Sequence, residues 1–215
     1  MPSNTTAASA PEAFHRWTSE VCPFVIEYSR SVLAAIHNAV VDAYYKAPHG
    51  GIEIGGLLFG RALDGSPAIL RIEQSRPIAC EHANGPGFLL SAADLKNLER
   101  QIAEFADEES LQGLELVGWY HSHHRSGLNL TAEDIALHDR LFPELSHVAL
   151  VLRPSQSADT RAVFYHRSED GTFPAVPDPT EFTVPSNLYR PSSGRPIAKN
   201  SGSATRQAGS ILRGQ

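Results

Sequence analysis

Gly118-Trp119-Tyr120-His121-Ser122-His123, followed by Thr131 and Asp134, is the stretch on which the reading of this chain turns. The apolar run 114–119 leads into it and reads as a strand. Residues i and i+2 of a strand face the same way. His121 and His123 therefore present their imidazoles on one side, where both can converge on one metal ion. Asp134, at the start of a helical pattern, is a third ligand in reach. Two histidines and one carboxylate are a set that leaves a fourth position on zinc open. An ion held that way binds water and lowers its pKa. Trp119 shares the histidines' face and reads as core. Ser122 points the opposite way, and no acid–histidine relay for it is evident, so it is not taken for a nucleophile.

Outward from this strand, residues 23–28 read as a strand. Leu33, Ile36, Val40 and Tyr44 follow with the spacing of a helix, which Pro48, Gly50 and Gly51 end. Residues 53–61 and 68–75 read as two strands joined at Asp64-Gly65-Ser66, a hairpin signal. Residues 76–87 form an irregular loop and 88–90 a short strand. Ser91 with Asp94 resembles a capping box and opens a helix bearing Leu95, Leu98, Ile102 and Phe105. A helix over 131–141 and strands over 147–153 and 161–166 complete the pattern. The expected fold is one α/β domain over 21–180, a mixed β-sheet with helices packed on it. Residues 1–20 and the Pro/Ser/Gly-rich stretch 181–215 are expected to be disordered flanks.

The composition fits a globular protein: 215 residues, 41% hydrophobic and 20% charged. No apolar run approaches bilayer-spanning length, and the first residues lack the basic start and apolar core of a signal peptide. Cys22 and Cys80 are far apart, outside any metal-ligand spacing, and read as packed or free thiols suited to a reducing cytoplasm. Residues 182–215 carry five basic residues and no acid. Subtracting those five from the net charge of −6 leaves −11 on the rest. An acidic body is a poor platform for nucleic-acid phosphate.

At these residues the chain resembles the JAMM (MPN+) metalloprotease family. Its signature is a glutamate in an E-x-x-G segment, then H-x-H, seven residues, Ser, two residues, Asp. Glu53-Ile54-Gly55-Gly56, His121-Ser122-His123, Thr131 and Asp134 occupy those positions, with Thr131 in place of Ser. The resemblance runs from about residue 25 to 165. It implies an MPN-like domain with cytidine-deaminase-like layering and one zinc ion held by His121, His123 and Asp134. It also implies Glu53 as the general base and Thr131 as a donor to the developing oxyanion. The substrate it implies is a peptide or isopeptide bond, as at the C-terminus of a ubiquitin-like or sulfur-carrier protein. Residues 76–87 and 124–130 are expected to flank the cleft.

Each assignment has a plainer alternative. Thr131-x-x-Asp134 before Ile135 is a helix capping box in its own right, and the two roles are compatible because they use different side chains. Glu53 can be a surface acid, although Ile54, Leu57 and Leu58 suggest burial, where a carboxylate can move protons near neutrality. His138, one turn beyond Asp134, can be a further ligand and is expected as a solvated helix histidine. His124 stands where the family usually has Pro and is expected as an exposed loop residue. A non-catalytic scaffold is disfavoured because every motif position is chemically competent. A zinc deaminase needs a Pro-Cys-x-x-Cys pair that this chain lacks. A DNA-repair relative is disfavoured by the acidic body. A hydrolase of small amino-acyl conjugates stays open.

Overall fold

A computed structural model describes residues 13–46, 51–105, 107–174 and 180–191. Eight strands make one mixed sheet: β1 (Phe14–Trp17), β2 (Phe24–Ser29), β3 (Gly55–Leu63), β4 (Ala68–Ile78), β5 (Glu115–Ser122), β6 (Val148–Pro154), β7 (Thr160–His166) and β8 (Phe182–Val184). Their order is β1-β2-β4-β3-β5-β6-β7-β8. The pairs β2/β4 and β5/β6 are parallel, and the other neighbours are antiparallel. Three helices pack on it: α1 (Arg30–Tyr45), α2 (Ala92–Phe105) and α3 (Ala132–Leu141).

Alternation along the strands divides the core between two faces. Ile26, Leu58, Leu150 and Phe164 point to one side and meet Val32, Leu33, Ile36 and Val40 of α1. That stripe has the i, i+4, i+8 spacing that puts residues on one helix face. Ser29 starts α1 by accepting the Val32 N–H on its hydroxyl at 3.1 Å. Leu57, Trp119, Val151 and Val163 point to the other side, against Leu98 of α2 and Phe142 at the end of α3.

A bulge in β5 sets which face receives the histidines. Leu58 pairs with Gly118 but Phe59 pairs with Leu116, leaving Val117 as the extra residue. Val117 and Tyr120 therefore share the α1 face, while Leu116 and Trp119 share the other. Gly118 is required at this point, since a Cβ there would lie 2.0 Å from the Val148 carbonyl oxygen. After the bulge, Trp119, His121 and His123 fall on the side of α2 and α3. The pairing of β5 with β6 continues past the strand end through His123 N–H to Leu152 O at 2.8 Å.

Several expectations need correction. β1 lies inside the segment given to a disordered flank, because Trp17 buries its ring and donates its indole N–H to Thr180 O at 2.7 Å. β8 lies beyond residue 180. It pairs with β7 and buries Val184, so the ordered sheet reaches past the expected boundary. Residues 88–90 form no strand, because the Phe88 N–H goes to the Glu53 carboxylate and not to a ladder. Residues 1–12 and the basic stretch 192–215 lie outside the described residues, as do Pro48 and Gly50. Cys22 and Cys80 are free thiols. Among the described residues no helix is long and apolar enough to cross a membrane.

Candidate metal centre

β5 ends where His121 and His123 face α3. Asp134 reaches them from the first turn of that helix. Thr131 caps α3: its hydroxyl accepts the Asp134 N–H at 3.2 Å, and Asp134 Oδ2 accepts the Thr131 N–H at 2.8 Å. This reciprocal cap fixes the Asp134 rotamer and points Oδ2 at both imidazoles, 3.5 Å from each Nε2. The two Nε2 atoms are 2.6 Å apart. His121, His123 and Asp134 form a group whose ligand atoms converge closely enough to hold a metal ion.

The donor set fits a divalent cation. With zinc–ligand bonds of about 2.0–2.1 Å, the edges of a tetrahedron are roughly 3.3 Å. The two His–Asp distances are close to that edge. The His–His pair is shorter and must open by several tenths of an ångström. Two bare imidazole nitrogens cannot face each other that closely without a proton or a cation between them. His123 Nδ1 contacts the Gly127 carbonyl at 3.0 Å, so Nδ1 carries the hydrogen and Nε2 offers its lone pair. His121 has no such hydrogen bond on Nδ1. Its ring is held by stacking on Trp119 (centroids 4.6 Å, 13°) and Phe88 (6.1 Å, 14°).

Burial makes this group demanding. His121, His123 and Asp134 are 1%, 3% and 6% exposed, and a carboxylate so enclosed needs a cationic partner. Burial opposes ionisation of Asp134, but the two imidazoles and the cap more than offset it and hold the carboxyl far below its usual range. Burial dominates at His121 and lowers its pKa, favouring the neutral, ligating form. At His123 burial is outweighed by Asp134 and the Gly127 carbonyl, and the pKa is raised. A metal ion would supply the positive charge that a proton on His123 otherwise provides.

Glu53 sits just ahead of β3, half-buried. Two bonds knit its segment to the end of β5: Ser122 N–H to Ile54 O at 2.8 Å, and Ile54 N–H to Ser122 Oγ at 3.0 Å. Its carboxylate is gripped at both oxygens, Oε1 by His124 N–H at 2.8 Å and Oε2 by Phe88 N–H at 3.2 Å. Its charge acts on both His121 and His123. An open cleft of about 200 Å³ lies over it, lined by Gly51, Glu53, Pro86, Gly87, His124 and Arg125. Segments 76–87 and 124–130 thus both contribute to its wall. Gly87 adds no side chain to that wall, where a Cβ would stand in ordinary contact with Glu53 Oε2 at 3.5 Å.

Two histidines differ from expectation. His138 is fully buried, not solvated. Its Nδ1 accepts the Trp119 indole N–H at 3.1 Å, its ring stacks on Phe173, and burial lowers its pKa to about 3. It stands behind Trp119, outside the converging ligands. His124 is not a loose loop residue: its ring meets Tyr44 edge-on and its Nε2 lies 3.3 Å from Ser122 Oγ. That serine–histidine pair was not evident from the sequence, but Ser122 is fully buried on the opposite face. The backbone donors on Glu53 and the Gly127 carbonyl also escape sequence reading, since main-chain groups have no residue signature. Thr131 is exposed at the helix start.

No family model and no curated protein matches this chain. Among solved structures, a solution structure of a protein from Salinibacter ruber aligns with 79% of this chain and 94% of its own length, at 19% identity and a TM-score of 0.43.

Proposed function

We propose that this chain is a zinc-dependent metallopeptidase or isopeptidase of the JAMM type, with the MPN-like layering that this kinship implies. Its substrate class is a protein or peptide, such as the C-terminus of a ubiquitin-like or sulfur-carrier protein, and its setting is the cytoplasm. One observation carries the reading. The Nε2 atoms of His121 and His123 and Oδ2 of Asp134 converge within 3.5 Å, with the Glu53 carboxylate held beside them.

A zinc ion bound there supplies Lewis acidity to a water and to a carbonyl oxygen. The protein's own groups do the rest. Glu53 has lone pairs beyond the two that His124 and Phe88 occupy, so Oε1 or Oε2 can accept a proton from the attacking water. As the oxygen–carbon bond forms, Glu53 holds that proton. As the carbon–nitrogen bond breaks, Glu53 delivers it to the leaving amine. Thr131 uses its oxygen as the cap acceptor, and its hydroxyl hydrogen stays available to donate to a developing oxyanion. Asp134 stays ionised and His121 neutral, the forms a metal requires.

The test is metal content of the full chain purified without added metal, beside the His121→Ala/His123→Ala variant. About one zinc per chain in the first and none in the second is expected. Glu53→Gln should keep its zinc and lose turnover of a ubiquitin-like fusion by about 10²–10⁴-fold. Absence of metal in both, even after zinc addition, would replace this reading with a non-catalytic scaffold.

A further inference from the structure

His121 and His123 are steadied in different ways. His123 donates its Nδ1 hydrogen to the Gly127 carbonyl, the common device for orienting a ligand imidazole. His121 Nδ1 is buried with no hydrogen-bond partner among the described residues. Its ring is placed by its neighbours instead. Trp119 stacks on it with centroids 4.6 Å apart, and Phe88 stacks at 6.1 Å. Stacking has no donor–acceptor pair to fix its register, so the place of His121 depends on what holds Trp119. The holder is His138, whose Nδ1 accepts the Trp119 indole N–H at 3.1 Å. Both side chains are fully buried. His138 is itself confined: Phe173 stacks on it at 3.5 Å and 5°, and Phe142 lies 5.6 Å from it and 6.2 Å from Trp119.

Backbone geometry makes this second link possible. Trp119 and His121 are two apart on β5, about 6.6 Å of strand. Asp134 and His138 are four apart on α3, about 6 Å of helix and on one face of it. The two spans match, so strand and helix are joined by two successive rungs: His121 to Asp134 at 3.5 Å and Trp119 to His138 at 3.1 Å. One helix thus carries a candidate ligand and also the group that secures the ligand opposite it. An imidazole is not the most stable filling for position 138. With Nδ1 accepting, Nε2 carries the hydrogen and is buried without an acceptor among the described residues, which is destabilising. A leucine would fill the space without that penalty, but it would leave the indole N–H unpaired. We propose that His138 is a positioning residue: through Trp119 it holds the His121 imidazole in register with His123 and Asp134. The ring placement stands on these contacts alone, and its consequence for zinc affinity rests on the metal reading above.

The experiment compares the full chain with His138→Leu, His138→Gln, Trp119→Phe and the double variant Trp119→Phe/His138→Leu. Glutamine retains a carbonyl acceptor, and phenylalanine retains a stacking ring without the N–H. Two quantities are read. One is the set of imidazole nitrogen resonances of His121 in metal-free, isotope-labelled protein, identified by their loss in His121→Ala. The other is zinc affinity by competition with a chelator. His138→Leu should move the His121 resonances and weaken zinc binding about tenfold, and His138→Gln should recover most of both. In the Trp119→Phe background, His138→Leu should change neither any further. Unmoved resonances with native zinc affinity in His138→Leu would overturn the proposal. Equal losses in the leucine and glutamine variants would also overturn it, assigning the effect to packing. So would a His138→Leu effect that survives undiminished in the Trp119→Phe background. If His138→Leu does not fold, Trp119→Phe decides: a tenfold loss of zinc affinity upholds the proposal and native affinity overturns it. His121 resonances moved by His138→Leu in a chain that takes up no zinc would keep the positioning role and remove the metal reading. Zinc bound equally by every variant would do the reverse.

Discussion

The starts of α2 and α3 are built from the same four-residue device and end in different chemistry. Ser91 and Asp94 cap α2: the serine hydroxyl accepts the Asp94 N–H at 3.1 Å, and Asp94 Oδ2 accepts the Ser91 N–H at 2.9 Å. Thr131 and Asp134 repeat the arrangement at α3 within a tenth of an ångström. Both aspartates are buried. Both carboxyls have lowered pKa values, and burial opposes ionisation in each case: hydrogen bonds from the Ser91 cap and the Glu81 N–H outweigh it at Asp94, and chiefly hydrogen bonds from His121 and His123 outweigh it at Asp134. What differs is the neighbour. Asp94 spends Oδ1 on the Glu81 N–H at 3.2 Å and so ties down a loop. Asp134 faces two imidazoles. A local motif thus fixes the rotamer, and the element packed opposite decides whether the carboxylate only caps or also joins a group that could hold a metal.

The sharpest way to break this comparison is to remove one charge at a time. Asp134→Asn keeps a capping oxygen but loses the anionic ligand. Zinc affinity measured by competition with a chelator should fall at least about 100-fold. Asp94→Asn should leave zinc stoichiometry unchanged and cost only about 1 kcal/mol in urea unfolding. Equal zinc loss in both would mean that the two caps do not differ in function.

The hydroxyls come next. Thr131→Ala and Ser91→Ala should each cost about 1 kcal/mol of stability, the ordinary value of a cap. Only Thr131→Ala should also slow turnover, by about 100-fold if its O–H serves the oxyanion. Unaltered kcat in Thr131→Ala would return that residue to capping alone.

Acid separates the two sites by a smaller, graded effect. His123 has a raised pKa in the metal-free protein, so proton and metal compete for it. Once His123 is protonated, apparent zinc affinity should fall about tenfold per pH unit, one proton being displaced per ion. The α2 cap responds later. A depressed folded pKa at Asp94 gives stability that is present above the unfolded aspartate value and lost as pH falls through the folded one. Zinc release in the histidine range, with helical circular dichroism intact, is the expected record.

The smallest effect concerns Glu53, which the two regions share. The loop before α2 supplies Phe88 N–H, and the loop before α3 supplies His124 N–H. His124→Pro removes that donor, whereas His124→Ala retains it. The proline variant should lose several-fold in kcat with zinc content unchanged, and the alanine variant less. Identical losses would assign the effect to the imidazole.

Much of this was legible in the chain. The i, i+2 spacing of His121 and His123, the two S/T-x-x-D boxes and the apolar periodicity of α1 are local patterns, and local geometry makes them dependable. Glu53, just ahead of β3, was legible only as a candidate. β1 and β8 were missed because a three- or four-residue edge strand carries too little periodicity to stand out, and partners distant in sequence stabilise it. His138 was misjudged because one histidine on a helix does not announce a tryptophan behind it.

The sequence by itself determined the candidate ligand types, their spacing and the caps, since each depends on backbone geometry within a few residues. Tertiary structure decided the rest. The Val117 bulge chose the face for the histidines, β3 brought Glu53 across the sheet to them, and main-chain groups from two loops fixed its carboxylate. Those choices depend on which distant segments pack together, and burial and hydrogen-bond satisfaction settle that only over the whole core.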